Sequence, residues 1–491
     1  MNAATLKSWV PVVIGFLSSR IIYFCLGVRF DATPMPTHYQ YLDTLLLRDN
    51  LLQSVYYMHI QPPLFNLLLG VMLKLFPSHW PLAFNGVYLF MGLVLSIVLY
   101  QTIRELGVSS GIASWLTIIF VASPACVLYE NYLFYTYPTT LLLAASALCL
   151  HRAMARPTVL NAHLFFLLLA AIALTRSLFH ILWFAFFALA VILLQRQHFR
   201  RLAVAAAVPF ALVLFWYARN LCLFGEFNSS SFLGMSLSKM TTFMLPEAER
   251  RQLVRENKLS ELSLIQPFSG LDAYERFLPK TEPTGIPVLD STRKIGMIQD
   301  WNRNYIGYLH ISRGYLKDAH WSLAHRPGTY LVSIVKSWDL FFRPASNYVF
   351  LGANRRAIRP INRLYNLVIL GQILDTFPEG ARGHPHTSGN YGTAIFRMGL
   401  FLVIAFFGLL IFGFGLIRKA LAQRPVDWPF AATVMFIWAN ILYVAIVGNC
   451  LEMGENFRFR FMIDPFLVIL LGLFLHHLWA KFGQSQRSRA A

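Results

Sequence analysis

Charge is what this chain has least of. Of its 491 residues only 13% are Asp, Glu, Lys or Arg, while 56% are hydrophobic. A water-soluble domain carries about a quarter charged residues, so the composition excludes that class and fits a chain built for a bilayer. A removable leader is not evident either: the apolar stretch 10–28 lacks a small-residue cleavage pattern and reads as a retained span. The five cysteines (Cys25, Cys126, Cys149, Cys222, Cys450) have no metal-ligand spacing, and their odd number makes no disulfide framework. They read as small buried hydrophobes. No glycine-rich phosphate loop follows a candidate strand and no Gly-x-Ser-x-Gly elbow occurs, which weighs against nucleotide binding and serine acyl transfer. His384 and His386, in Gly-His-Pro-His, lack a clear third ligand and make a weak metal signal. There is no internal repeat and no low-complexity run. The net charge is +19, yet the basic residues form no single tract. Many sit in short loops between apolar runs, as topology signals do, and anionic lipid is a better partner for them than nucleic acid.

What the chain does have is apolar runs near the roughly 20 residues that a spanning helix needs. They fall at 10–28, 82–103, 111–128, 138–150, 202–221, 394–417, 431–447 and 461–478, with a longer run at 160–194. Basic clusters at Arg152 and Arg156 and at Arg196, Arg200 and Arg201 flank the long run. Both clusters should be cytoplasmic, so the long run is a hairpin with its tip near Arg176 and Ser177. The expectation is an all-α polytopic membrane protein of about ten (10–12) transmembrane helices in a plasma or bacterial inner membrane, with both termini cytoplasmic. Residues 1–223 form an N-terminal membrane core whose first outer loop is 29–63. Residues 224–391 form a larger extracytoplasmic segment, and 392–491 a C-terminal membrane part. Segment 41–58 should lie along the membrane surface, 64–76 should be surface-lying or half-inserted, and 330–342 and 362–374 are amphipathic segments for the surface, either of which would change the count if it spans. Arg20 interrupts the first span and should face other helices or water rather than lipid.

This topology gathers Asp31, His59, Gln61, Glu130, Arg176, Arg219, Asn220, Glu455, Arg458 and Arg460 on one outer face. Arginines from separate helix ends suit a phosphate, because guanidinium forks match phosphate oxygens in bidentate fashion. A carboxylate beside them suits the activation of a hydroxyl nucleophile. Transfer of a sugar from a polyprenyl phosphate fits both, with the arginines neutralising the departing lipid phosphate and the anomeric carbon inverting in one displacement.

At these positions the chain resembles the GT-C superfamily of polyprenyl-phosphate-dependent membrane glycosyltransferases, particularly the bacterial relatives of protein O-mannosyltransferases and lipid A aminoarabinose transferases. Asp31 follows the first span, and His59-Ile60-Gln61-Pro62-Pro63-Leu64 is similar to that family's Pro-Pro-Leu corner. Tyr129-Glu130-Asn131 opens the second outer loop, Arg219-Asn220 precedes a Phe224-Gly225 pair, and Glu455-Asn456-Phe457-Arg458-Phe459-Arg460 runs into Asp464-Pro465. The resemblance implies Asp31 as catalytic base, with Asp43 the alternative, and Glu130 as a second acid for acceptor or metal. It implies Arg219, Arg458 and Arg460 as donor-phosphate ligands, and His59 and Gln61 as pocket residues. Arg176 and Asn220 join the substrate-binding set from their place on the outer face. No cofactor is required by the resemblance, and a divalent metal stays open. The partners implied are a polyprenyl-phosphate-linked sugar, a lipid, glycan or protein acceptor, and membrane lipids, with no nucleic acid. A ligase or polymerase of lipid-linked glycans and a transporter of lipid-linked sugars are the rival readings. The landmarks cover the N-terminal half and the last forty or so residues, and the middle outer segment matches no landmark.

Overall fold

Proline and short polar caps punctuate this chain, and they set where its helices begin. The computed structural model describes residues 3–279, 282–296, 300–374 and 397–490, with side chains from 9 to 482 in that range. His384 and His386 lie outside the described residues. The longer helices are α1 (Ala3–Cys25), α2 (Pro63–Leu75), α3 (Trp80–Glu105), α4 (Ser110–Val121), α5 (Thr136–Ala155), α6 (Val159–Thr175) and α7 (Ile181–Leu194). They continue with α8 (Phe199–Phe224), α9 (Gly307–His325), α10 (Pro327–Phe341), α11 (Leu400–Ala422), α12 (Trp428–Leu451) and α13 (Asn456–Ala490). Pro63 opens α2 at a position where its missing N–H costs nothing. Thr158 caps α6 by accepting from Asn161 N at 3.2 Å, His180 caps α7 from Leu182 N at 3.2 Å, and Asp427 caps α12 from Phe430 N at 3.2 Å. α8 stops at Gly225, whose φ of +70° is the left-handed conformation that closes many helices.

Among the described residues no β-strand forms. Two isolated bridges occur, Asp31 with Tyr132 and Arg293 with Trp301. Among the described residues five helices are long and apolar enough to cross a membrane: α3, Arg196–Phe224 (which contains α8), α11, α12 and Asn456–Phe482 of α13. A sixth is counted if α4 and the helix Pro124–Glu130, bent 59° from it, make one span. The bend falls where Ser123 accepts from Cys126 N at 3.2 Å ahead of a new helix. Residues 111–128, read from sequence as one straight run, are therefore broken. The expected hairpin at 160–194 is present as α6 and α7, with its break at 176–180. Both arms, like the apolar part of α1, are shorter apolar helices that do not meet the length of a full span.

α5 sits at the centre, packed by α3, α6, α12 and α13. Its buried face carries Tyr137, Thr139, Thr140 and Ser146, whose hydroxyls mostly bond back to the carbonyl four residues earlier. That central place lets a helix with so many polar residues sit among apolar ones. The 41–58 stretch is two short helices, Thr44–Asp49 and Leu51–Tyr57, against α2. The segment after α8 adds a helix, Leu233–Met240, which packs on α9.

Candidate anion-binding cavity

Four turns at one end of the bundle close around a cavity of about 420 Å³. The first outer loop contributes Tyr39, Gln40 and Gln61. The α6–α7 turn contributes Arg176, Ser177 and His180, and the chain after α8 brings Asn228, Ser229 and Ser230. Lys239 comes from Leu233–Met240, and the α12–α13 turn supplies Glu452, Glu455 and Arg458.

Sequence spacing explains part of this arrangement. Glu455 lies just before α13 and Arg458 in its first turn, so an i,i+3 step puts the two charges together as an ion pair. Arg458 also reaches the Tyr135 hydroxyl at 3.4 Å, with its guanidinium 4.7 Å from the Phe134 ring centre. Lys239 pairs with Glu452 and donates to the Met453 carbonyl at 3.3 Å. Arg176 is different. It is 5% exposed, its guanidinium stands 4.6 Å from the Phe459 ring and 5.2 Å from Tyr135, and no carboxylate pairs with it among the described residues. Its Nη1 is buried without a hydrogen-bond partner. Burial first, and the Arg458 guanidinium second, lower its proton affinity. Three cations thus face two carboxylates, and the surplus charge sits in a low-dielectric wall where an anion would be held strongly.

The residues expected to form the site divide into two groups. Gln61, Arg176 and Arg458 line the cavity together. The two acids expected to be catalytic do not. Asp31 is not among the lining residues. Its Oδ1 accepts from Thr33 N at 2.9 Å and Thr33 Oγ1 at 2.7 Å, at the start of the helix Pro34–Thr37. Its backbone accepts from Leu133 N at 3.0 Å. Glu130 is fully buried: Arg20 grips both its oxygens, at 2.8 and 2.5 Å, and Tyr137 donates to Oε2 at 2.8 Å. This satisfies the cost of Arg20 in α1 and leaves Glu130 no face toward the cavity. Gly92 is the residue that makes room, since a Cβ there would stand 2.0 Å from Glu130 Oε2. The alternative acid, Asp43, is buried and accepts from the N–H groups of Leu45 (2.8 Å), Ile295 (2.5 Å) and Gly296 (3.2 Å). It ties the first outer loop to the middle segment.

The remaining expected ligands hold the walls rather than line them. His59 Nε2 meets the Asn304 carbonyl at 3.0 Å, so it carries the proton, and Nδ1 accepts from Ser231 Oγ at 2.7 Å. Burial pushes its pKa down to about 3. Arg219 donates to the Met58 carbonyl at 2.9 Å and to Asn220 Oδ1, with its guanidinium 4.2 Å from the Trp216 ring. Asn220 donates to the Asn228 carbonyl at 2.6 Å, which fixes the stretch that carries Asn228–Ser230 to the cavity. Arg460 donates to the carbonyls of Phe341 and Arg343, at 2.8 and 2.6 Å, and to Asp464 at 3.1 Å, and it lines a different crevice. Lys239 and Glu452 were missed in the sequence. No local pattern pairs positions 213 residues apart, although Glu455 was legible as the acid ahead of Arg458. No group of three His, Cys, Asp or Glu side chains is placed to hold a metal ion among the described residues.

No family model, curated protein or solved structure matches the chain.

Proposed function

We propose that this chain is a membrane glycosyltransferase. It moves a sugar from a polyprenyl-phosphate donor to a hydroxyl of a glycolipid, envelope glycan or protein, on the extracytoplasmic face of a plasma or bacterial inner membrane. In this reading the chain crosses the membrane about ten times, with the bent α4 span, the central α5 and the shorter apolar helices α1, α6 and α7 adding to the five longer spans and both termini cytoplasmic. The observation that carries the reading is the buried Arg176 guanidinium, turned to a cavity without a carboxylate partner and flanked by the Arg458–Glu455 and Lys239–Glu452 pairs.

Arg176 takes the donor phosphate, with Arg458 beside it. The acid role assigned from sequence to Asp31 passes to Glu455, because Glu455 stands in the cavity wall and Asp31 does not. The acceptor hydroxyl gives its proton to the Glu455 carboxylate while its oxygen bonds the anomeric carbon. The bond from that carbon to the phosphate oxygen breaks, its electron pair stays on the phosphate, and the anomeric configuration inverts. Arg176 stabilises the charge that develops on the leaving phosphate. Tyr39, Tyr135 and Phe459 offer faces against which a sugar ring packs, and Gln40, Gln61 and Ser177 offer hydrogen bonds to its hydroxyls.

The test is turnover in reconstituted membranes with a panel of radiolabelled polyprenyl-phosphate sugars. Arg176→Ala should weaken donor binding at least tenfold, as loss of charge-assisted bonds worth about 1.5–3 kcal/mol requires. Glu455→Gln should keep donor binding and lose turnover. Release of polyprenyl diphosphate would replace this reading with a glycan ligase, and movement of an intact donor across the bilayer would replace it with a transporter.

A further inference from the structure

A second crevice, of about 190 Å³, lies between α4, α11, α13 and the helix Arg359–Val368. Its sides are apolar: Ile119 from α4, Leu402 and Leu409 from α11, Leu467 and Leu471 from α13. One of its walls, α11, is a candidate span with only 22% of its most apolar stretch buried inside the protein. Its polar lining is formed by Arg460, Asp464, Tyr365 and Ser346.

We propose that this crevice binds one chain of a membrane lipid whose headgroup is an uncharged hydroxyl, of the diacylglycerol or long-chain alcohol class. Charge decides the headgroup. Arg460 is matched by Asp464 at 3.1 Å, and its Nη1 is committed to the carbonyls of Phe341 and Arg343. The polar end therefore has no surplus cation for a phosphate, unlike the Arg176 cavity. It has an acceptor instead. Asp464 uses Oδ1 for Arg460, and its Oδ2 takes no hydrogen bond among the described residues. The Asp464 side chain keeps 19% of its surface exposed, so a lipid hydroxyl can reach that oxygen and donate to it without adding charge. A long chain laid against Ile119, Leu402, Leu409, Leu467 and Leu471 fills the rest. This site is independent of any sugar transfer.

The test uses the full chain in nanodiscs with two photoactivatable diazirine lipids of identical chains, a diacylglycerol and a phosphatidate. The diacylglycerol should label peptides covering residues 116–120 and 401–409 at least fivefold more than the phosphatidate does. Ala405→Trp, at an exposed position on the crevice wall, should cut that labelling at least fivefold. Ile404→Trp, exposed and outside the lining, should leave it unchanged. Elution profile and Tm report whether each variant folds, and Leu402→Phe repeats the filling more gently if Ala405→Trp does not. Equal or stronger labelling by the phosphatidate overturns the proposal. So does labelling that survives filling by a folded variant, or that spreads equally to the exposed face of α1.

Discussion

At the scale of single residues, two buried imidazoles set a pH limit on this fold. His59 bridges Ser231 and Asn304, and His38 Nε2 shares a 2.8 Å hydrogen bond with the Tyr132 hydroxyl. Burial holds both pKa values down at about 3, against 6.5 for a free histidine. In the unfolded chain both imidazoles take up protons below the ordinary value, while in the folded chain they stay neutral until about pH 3. Their contribution to stability is therefore full above pH 6.5 and is lost as pH falls toward 3. Each should cost about 1.4 kcal/mol per pH unit in that window. Thermal unfolding scans should show Tm dropping between pH 6.5 and 5, with a visibly shallower slope in His38→Gln. An unchanged slope in that variant would show that other groups set the pH dependence. Neither histidine's partner was legible in the sequence, because Ser231 and Asn304 lie 172 and 245 residues from His59.

At the scale of elements, local signals found the helices and the break between α6 and α7 but missed the one after α4. The positive clusters around 160–194 were enough to place a turn at Arg176, and the structure has α6 end at Thr175. Hydropathy alone gave no sign of the 59° bend after α4, since Ser123 and Pro124 interrupt an otherwise apolar run without lowering its average much. The pairing of the first outer loop with the middle segment was likewise invisible. It is made by Asp43, which looked like a spare catalytic acid and instead accepts three backbone N–H groups. Hydrogen exchange tests that role. Asp43→Ala should speed exchange of the Ile295 and Gly296 amides at least tenfold, as loss of bonds to a charged acceptor worth about 1.5–3 kcal/mol predicts. Amides within α5 should be unaffected. Equal protection of the Ile295 amide in the variant would mean that other contacts hold the segment.

At the scale of the whole molecule, the cavity constrains topology. Turns containing Gln61, Arg176, Ser229 and Glu452 meet in one wall, so the proposed arrangement requires them on one side of the membrane. The turns at 106–109, 156–158 and 423–427 join the opposite ends of the helices they connect. A single cysteine at Ser177 should react with an impermeant maleimide from outside intact cells. One at Ser109 should react only after permeabilisation. Labelling of Ser177 and Ser109 variants from the same side would remove the ten-span arrangement proposed here. The five helices of full spanning length came from hydropathy in either reading. Whether the shorter ones cross depends on how their neighbours shield them, which a window average does not contain.

By itself, the sequence determined that this is a helical chain rich in apolar segments, because runs of hydrophobic residues bounded by proline, caps and basic clusters act locally. It also marked Arg176 and Arg458 as costly charges that need a purpose. Only the tertiary structure decided which charges were already neutralised. Glu130 belongs to Arg20, Asp464 to Arg460 and Asp43 to the backbone of a distant segment, while among the described residues Arg176 and Arg219 have no carboxylate partner and Arg176 is the one of the two that faces the cavity. The physical reason is that an ion pair costs or stabilises according to a distance of a few ångströms, and in this fold those distances join residues more than a hundred positions apart as readily as neighbours.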